Sequence, residues 1–129
     1  WKGENNYELY RFCSKLNTTV VGGASKLIKF FEKNYKPNLL ISYANRRWST
    51  GNVYEKIGFS FEYNTKPNYF YFKGNSGLLS REGFQKHKLK DKLEIFNPDL
   101  SESQNMYNNG YRKIFDCGNK VYVKYYNNY

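Results

Sequence analysis

In a chain of 129 residues, Val21-Gly22-Gly23-Ala24-Ser25-Lys26 is the first segment whose residue types and order suggest chemistry. It joins a strand to a helix, so the first backbone N–H groups of that helix lack intrahelical partners. Those donors, with the helix dipole behind them, suit a phosphate. The glycines let the backbone approach closely, and Ser25 or Lys26 would add side-chain contacts. A plain tight turn is the alternative reading of the same residues.

A second group is basic and aromatic. Arg46, Arg47, Lys86, Lys88, Lys90 and Lys92 are interleaved with Tyr43, Trp48 and Phe84, a mixture that can hold phosphates and stack on bases. Its alternative is a lysine-rich face that meets only water. The chain carries 21 Lys and Arg against 11 Asp and Glu, a net charge of +10 that points to a polyanion as partner. Nucleic acid, a phosphorylated cofactor such as coenzyme A, or an anionic membrane surface would each satisfy it. Cys13 and Cys117 form no CxxC pair and have only His87 to help them, which argues against a zinc site. Both cysteines are expected to be reduced and buried, with a disulfide between them as the alternative, and His87, among lysines, to lie on the surface. With no apolar run of membrane-spanning length and no charged-then-apolar leader, the chain is expected to be soluble and cytoplasmic. Its start at Trp1 suggests a processed chain or a piece of a longer one.

These residues need elements to hold them. Tyr7 to Cys13 is aromatic and imperfectly alternating, which predicts a strand. Ala24, Leu27, Ile28, Phe31 and Tyr35 form the stripe of an amphipathic helix closed by Pro37. The apolar run Leu39 to Tyr43 predicts a buried strand parallel to the first, completing a βαβ unit with the glycine turn at a strand's carboxyl end. Gly51 to Ile57 predicts a short helix stopped by Gly58, and Phe59–Tyr63 and Tyr69–Phe72 predict strands. Ser80 to Leu93 predicts a basic helix, Ser101 and Glu102 the start of another, and Tyr111–Phe115 with Val121–Tyr125 a hairpin turning at Gly118-Asn119. Asn127-Asn128-Tyr129 is expected to fray.

The order strand, Gly-x-Ala turn, helix with Lys26-Leu27-Ile28, apolar strand, short helix and Val53-Tyr54-Glu55-Lys56-Ile57-Gly58-Phe59 resembles the C-terminal two-thirds of GNAT acetyltransferases. The resemblance implies that Val21, Gly22, Gly23, Ala24, Ser25 and Lys26 grip the pyrophosphate of coenzyme A. It implies that the cofactor arm lies between two splayed strands, and that Tyr54 is the general acid that protonates the departing thiolate. A half-buried aromatic that packs its helix onto the sheet is the other reading of Tyr54. Glu8 stands on the strand where the family sometimes keeps a carboxylate, which makes it the candidate general base; a solvent contact at a sheet edge is its alternative. Thr19 stands where the family usually has Arg or Gln, and Arg47 where an Asn often precedes the tyrosine. The family's N-terminal strands have no room before Tyr7, so the last 50 residues, an upstream segment or a partner chain would complete the sheet.

A second resemblance spans most of the chain. Arg11-Phe12-Cys13, Val21 to Leu27, Arg46-Arg47-Trp48, Phe84 to Leu89, Asn109-Gly110-Tyr111 and Phe115 to Asn119 are similar to a C-terminal module of phage proteins of the Hef-like homing endonuclease type. That implies a nucleic-acid partner, although the chain has no paired-carboxylate-plus-lysine nuclease signature and no HNH or GIY-YIG motif.

The expected fold is α+β, a GNAT-like mixed central sheet with flanking helices plus a C-terminal basic helix and β-hairpin. Residues 1–77 would form an acyl-CoA-binding core and 78–129 would complete the same single domain. The expected function is N-acyl transfer from acetyl-CoA or another acyl-CoA to a nucleic acid or another amine. The alternative is a non-catalytic nucleic-acid-binding module using Arg46, Arg47, Trp48, Lys86, Lys88 and Lys90.

Overall fold

The computed structural model of the protein describes residues 1–126, so the expected fraying of Asn127-Asn128-Tyr129 concerns positions outside the described residues. The fold is α+β, and the chain divides into two compact units. The first comprises residues 1–66 and the chain from Gly118 onward; the second comprises 67–117. This division differs from the expected boundary at residue 77, because the C-terminal strand returns to the first unit.

In the first unit, β1 (Asn6–Glu8) lies parallel to β2 (Leu39–Asn45), and α1 (Gly23–Tyr35) joins them. This is the βαβ unit expected from the alternation of apolar segments. α2 (Asn52–Lys56) and β3 (Ser60–Asn64) follow. The last strand, β7 (Asn119–Tyr125), inserts antiparallel between β2 and β3, giving the order β1-β2-β7-β3.

Period-2 alternation along β2 and β7 sends side chains to both sheet faces, and each face buries an apolar cluster. One contains Leu40, Ala44 and Tyr122 with Ile28 of α1 and Phe59; the other contains Leu39, Ile41, Val121 and Val123. α1 turns its predicted stripe toward the first cluster. Only Ile28 of that stripe is buried, however, and Leu27 and Tyr35 remain more than half exposed. Lys36, in the left-handed conformation, closes the helix with an N–H bond to the Glu32 carbonyl before Pro37.

The strand expected over Tyr7–Cys13 is much shorter. The last backbone bond of the β1–β2 pair runs from the Leu9 N–H to the Ile41 carbonyl at 2.8 Å. The Leu9 carbonyl, which would accept from the next ladder position, instead accepts the Ser42 hydroxyl at 2.7 Å. A side chain has replaced the ladder donor, and the chain leaves the sheet.

In the second unit, β4 (Tyr69–Phe72) pairs antiparallel with both β5 (Leu79–Ser80) and β6 (Arg112–Phe115). α3 (Glu102–Asn108) opens on a capping box between Ser101 and Gln104, as the serine there predicts. Tyr71, Leu89, Leu93 and Met106 make this unit's core.

Three further expectations fail. The hairpin of 111–115 with 121–125 does not form, because β6 pairs with β4 whereas β7 pairs with β2 and β3. The basic helix over Ser80–Leu93 is replaced by two 3₁₀ segments, Arg81–Phe84 and Lys86–Asp91, divided by extended Gln85. Gly83 weakens a continuous helix, and the ammonium groups of Lys88 and Lys92 take over the Glu82 and Gly83 carbonyls at 2.9 and 2.6 Å. Cys13 and Cys117 are free but exposed, not buried, since each lies on a segment that leaves its sheet.

Candidate functional site

The departure of the chain after Leu9 opens a cavity of about 370 Å³ in the first unit. Its walls are Tyr7, Glu8, Leu9, Arg11 and Phe12 on one side and α1 from Ala24 to Tyr35 on the other. Leu40 of β2 and Val53, Tyr54 and Ile57 around α2 complete it. A second cavity of about 340 Å³ lies around the glycine turn and shares Phe12, Ala24, Val53 and Ile57 with the first.

The turn has the geometry that anion binding needs. Gly22 caps α1 with φ 69°, a left-handed value that glycine adopts without strain, and space is open where a Cβ would stand. The Gly23 N–H bonds the Val20 carbonyl and the Lys26 N–H bonds the Gly22 carbonyl. Between them, the N–H groups of Ala24 and Ser25 have no partner among the described residues and stand at the positive end of a 13-residue helix. Gly22, Gly23, Ala24 and Ser25 border the second cavity together with Ser14, Thr18, Thr19 and Lys56. Val21 and Lys26, expected at the same site, do not border it; both are exposed. Lys56, on α2, borders the cavity instead, which its spacing in the sequence did not reveal. Thr19 borders the site as a hydroxyl where a longer side chain was expected.

Tyr54 borders the first cavity and also packs α2 against the sheet. Its ring stacks on Tyr122 with centroids 5.2 Å apart and meets Phe59 edge-on at 5.8 Å. Its hydroxyl has no hydrogen bond among the described residues. The structure thus shows the packing reading of this residue, and leaves its hydroxyl beside the cavity.

Glu8 borders the same cavity as Tyr54, but its side chain is directed elsewhere. It pairs in register with Ile41, so alternation sends its side chain to the face of Leu39 and Ile41, whereas Tyr7 and Leu9 pack toward α1. On that face a third cavity, about 340 Å³, is bordered by Glu8, Tyr43 and Trp1. Burial, then the Glu8 carboxylate, push the Tyr43 phenol above its ordinary value. The two candidate catalytic groups thus face opposite sides of the sheet at the β1–β2 pair.

The basic residues separate as well. Arg46, Arg47 and Trp48 belong to the first unit, in a turn organised by Asn45, whose side chain accepts the Arg47 N–H at 3.0 Å. The Arg47 guanidinium lies 4.6 Å from the centre of the Trp48 ring, which is 76% exposed. Lys86, Lys88 and Lys90 belong to the second unit, as does His87, which is exposed as expected. The first unit holds thirteen Lys and Arg against five Asp and Glu, so it carries most of the net charge.

Among the described residues there is no cluster of His, Cys, Asp and Glu that could hold a metal ion, and no helix is long and apolar enough to cross a membrane. No known protein family matches the chain, and no characterised protein or solved structure does.

Proposed function

We propose that the first unit binds an acyl-coenzyme A thioester where β1 and β2 part, and transfers the acyl group to an amine. The carrying observation is the place where the ladder ends. It ends at Leu9, through the Ser42 hydroxyl, beside a helix whose Ala24 and Ser25 N–H groups are unpaired among the described residues. A split between parallel strands offers an elongated cofactor arm a slot, and the helix N-terminus offers its phosphates a seat. Lys56 adds charge to that seat, and the serine and threonine hydroxyls add donors.

In the transfer, the amine nitrogen attacks the thioester carbonyl, the C–N bond forms and the C–S bond breaks. Tyr54 gives its phenolic proton to the departing thiolate, and the proton lost by the amine goes to solvent or to a base that recharges the phenol. Calorimetric titration with coenzyme A and acetyl-CoA tests the reading. Binding of both is expected, and no heat at about 1 mM cofactor overturns it.

A second reading, nucleic-acid binding, is favoured by the exposed Trp48 with Arg47 over its ring, an arrangement that suits base stacking beside a phosphate contact. Binding to a single-stranded oligonucleotide that weakens steeply with salt is its expected signature; salt-insensitive binding would end it.

A further inference from the structure

We infer that the groove along α1 takes the hydrocarbon of a fatty acyl thioester, so that the ligand is a medium- or long-chain acyl-CoA in preference to acetyl-CoA. The inference rests on the acyl-CoA reading above and deepens it. The groove follows α1 from Ala24 in its first turn to Tyr35 in its last, which at the helical rise is ~16 Å of wall. An acetyl group would occupy only the end nearest Tyr54.

The chemistry of the wall selects the occupant. Of the lining residues only Glu8 and Arg11 carry charge, and the Glu8 side chain points to the other sheet face. The rest is aliphatic and aromatic, and the end remote from the glycine turn is lined by Tyr7, Phe31 and Tyr35. Their ring centroids lie 5.1 Å apart for Tyr7–Phe31 and 4.8 Å for Phe31–Tyr35. Leu27 and Phe30 are 58% and 66% exposed, apolar area that a hydrocarbon would remove from water without asking for hydrogen bonds. The groove is continuous with the cavity at the turn through Phe12, Ala24, Val53 and Ile57. One molecule with an anionic head and an apolar tail therefore fits both, and the basic balance of this unit suits the head.

The full chain is titrated with coenzyme A, acetyl-CoA, octanoyl-CoA and dodecanoyl-CoA below their micellar concentrations, and its mass in solution is measured. Affinity should rise roughly fourfold for each methylene buried, so that octanoyl-CoA, with six more methylenes than acetyl-CoA, binds roughly a thousandfold more tightly or better when all of them are buried. Phe30→Glu, at an exposed position, should abolish that gradient while coenzyme A still binds. Leu27→Ser repeats the comparison should Phe30→Glu fail to fold by circular dichroism. Equal affinities across chain length, with coenzyme A bound, would overturn the fatty acyl chain and leave the acyl-CoA reading standing. No binding of any thioester overturns both. A dimer that Phe30→Glu dissociates, with no chain-length gradient, assigns the groove to a second copy and overturns the inference.

Discussion

Tyr54 and Glu32 show how single side chains divide between chemistry and support. Tyr54 is held by ring stacking that a phenylalanine would preserve, so Tyr54→Phe removes the proton and little else. If the phenol protonates the thiolate, turnover should fall roughly a hundredfold while coenzyme A affinity stays unchanged. Single-turnover assays beside calorimetry separate the two; a variant as fast as the parent would remove Tyr54 from the mechanism.

Glu32 of α1 has a structural task. Its carboxylate pairs with the Lys124 ammonium at 2.5 Å and accepts the Tyr126 hydroxyl at 2.6 Å, tying the helix to β7. Burial alone would push this carboxyl up. Hydrogen bonds from Lys124 and Tyr126, with the charges of Lys124 and Lys29, outweigh burial and hold it below its usual range. A carboxyl lowered in the folded state stabilises it above the ordinary carboxylate value, and that stability is lost as pH falls through the folded value. Denaturant melts across pH should therefore show an acid limb that Glu32→Gln flattens, with a loss of about 2 kcal/mol at neutral pH. An unchanged acid limb in the variant would show that the pair is not linked to folding.

At the scale of elements, the short helix α2 depends on close approach. Gly51 caps it with φ 83°, and a Cβ there would fall on the Tyr122 hydroxyl, a buried group on the central strand. Gly51→Ala combines left-handed strain with this collision and should cost roughly 3 kcal/mol in chemical denaturation. A loss near zero would mean that α2 can move away from β7. Helix α1, strand β2 and strand β4 were legible because their apolar periodicities are strong and local. The ends of β1 and the helix expected at 80–93 were not. β1 stops because Ser42, 33 positions away, takes the Leu9 carbonyl, and the lysines of the second segment bond backbone carbonyls that a helix would have used. The first event has no local signature, and of the second only Gly83 was a local sign.

At the scale of the molecule, the chain leaves the first unit after Lys66 and re-enters it at Gly118. A Cβ at Gly118 would lie 2.7 Å from the Thr65 carbonyl and 3.6 Å from the Lys66 carbonyl carbon, so exit and return are adjacent. Replacing 67–117 by a two-residue turn would make β3 and β7 an ordinary antiparallel hairpin. The shortened chain should fold and keep whatever affinity the full chain has for coenzyme A, measured by circular dichroism and calorimetry. A shortened chain that stays unfolded would show that the first unit depends on the second.

The candidate site was legible to a similar degree. The run Val21 to Lys26 marked the helix N-terminus, and Tyr54, singled out through the resemblance carried by Val53 to Phe59, lies on a cavity wall. Lys56, Ser42 and the wall formed by Leu27, Phe30 and Tyr35 were invisible, since each matters only through what the fold sets beside it. Composition and periodicity by themselves determined an α+β chain with a strong positive charge, a βαβ unit and a glycine turn where phosphate could bind, because these depend on neighbours in sequence. Tertiary structure alone decided that β7 returns between β2 and β3, that β1 ends at Leu9, and that Glu8 and Tyr54 face opposite sides of the sheet. Those outcomes depend on contacts between residues dozens of positions apart, which no local pattern encodes.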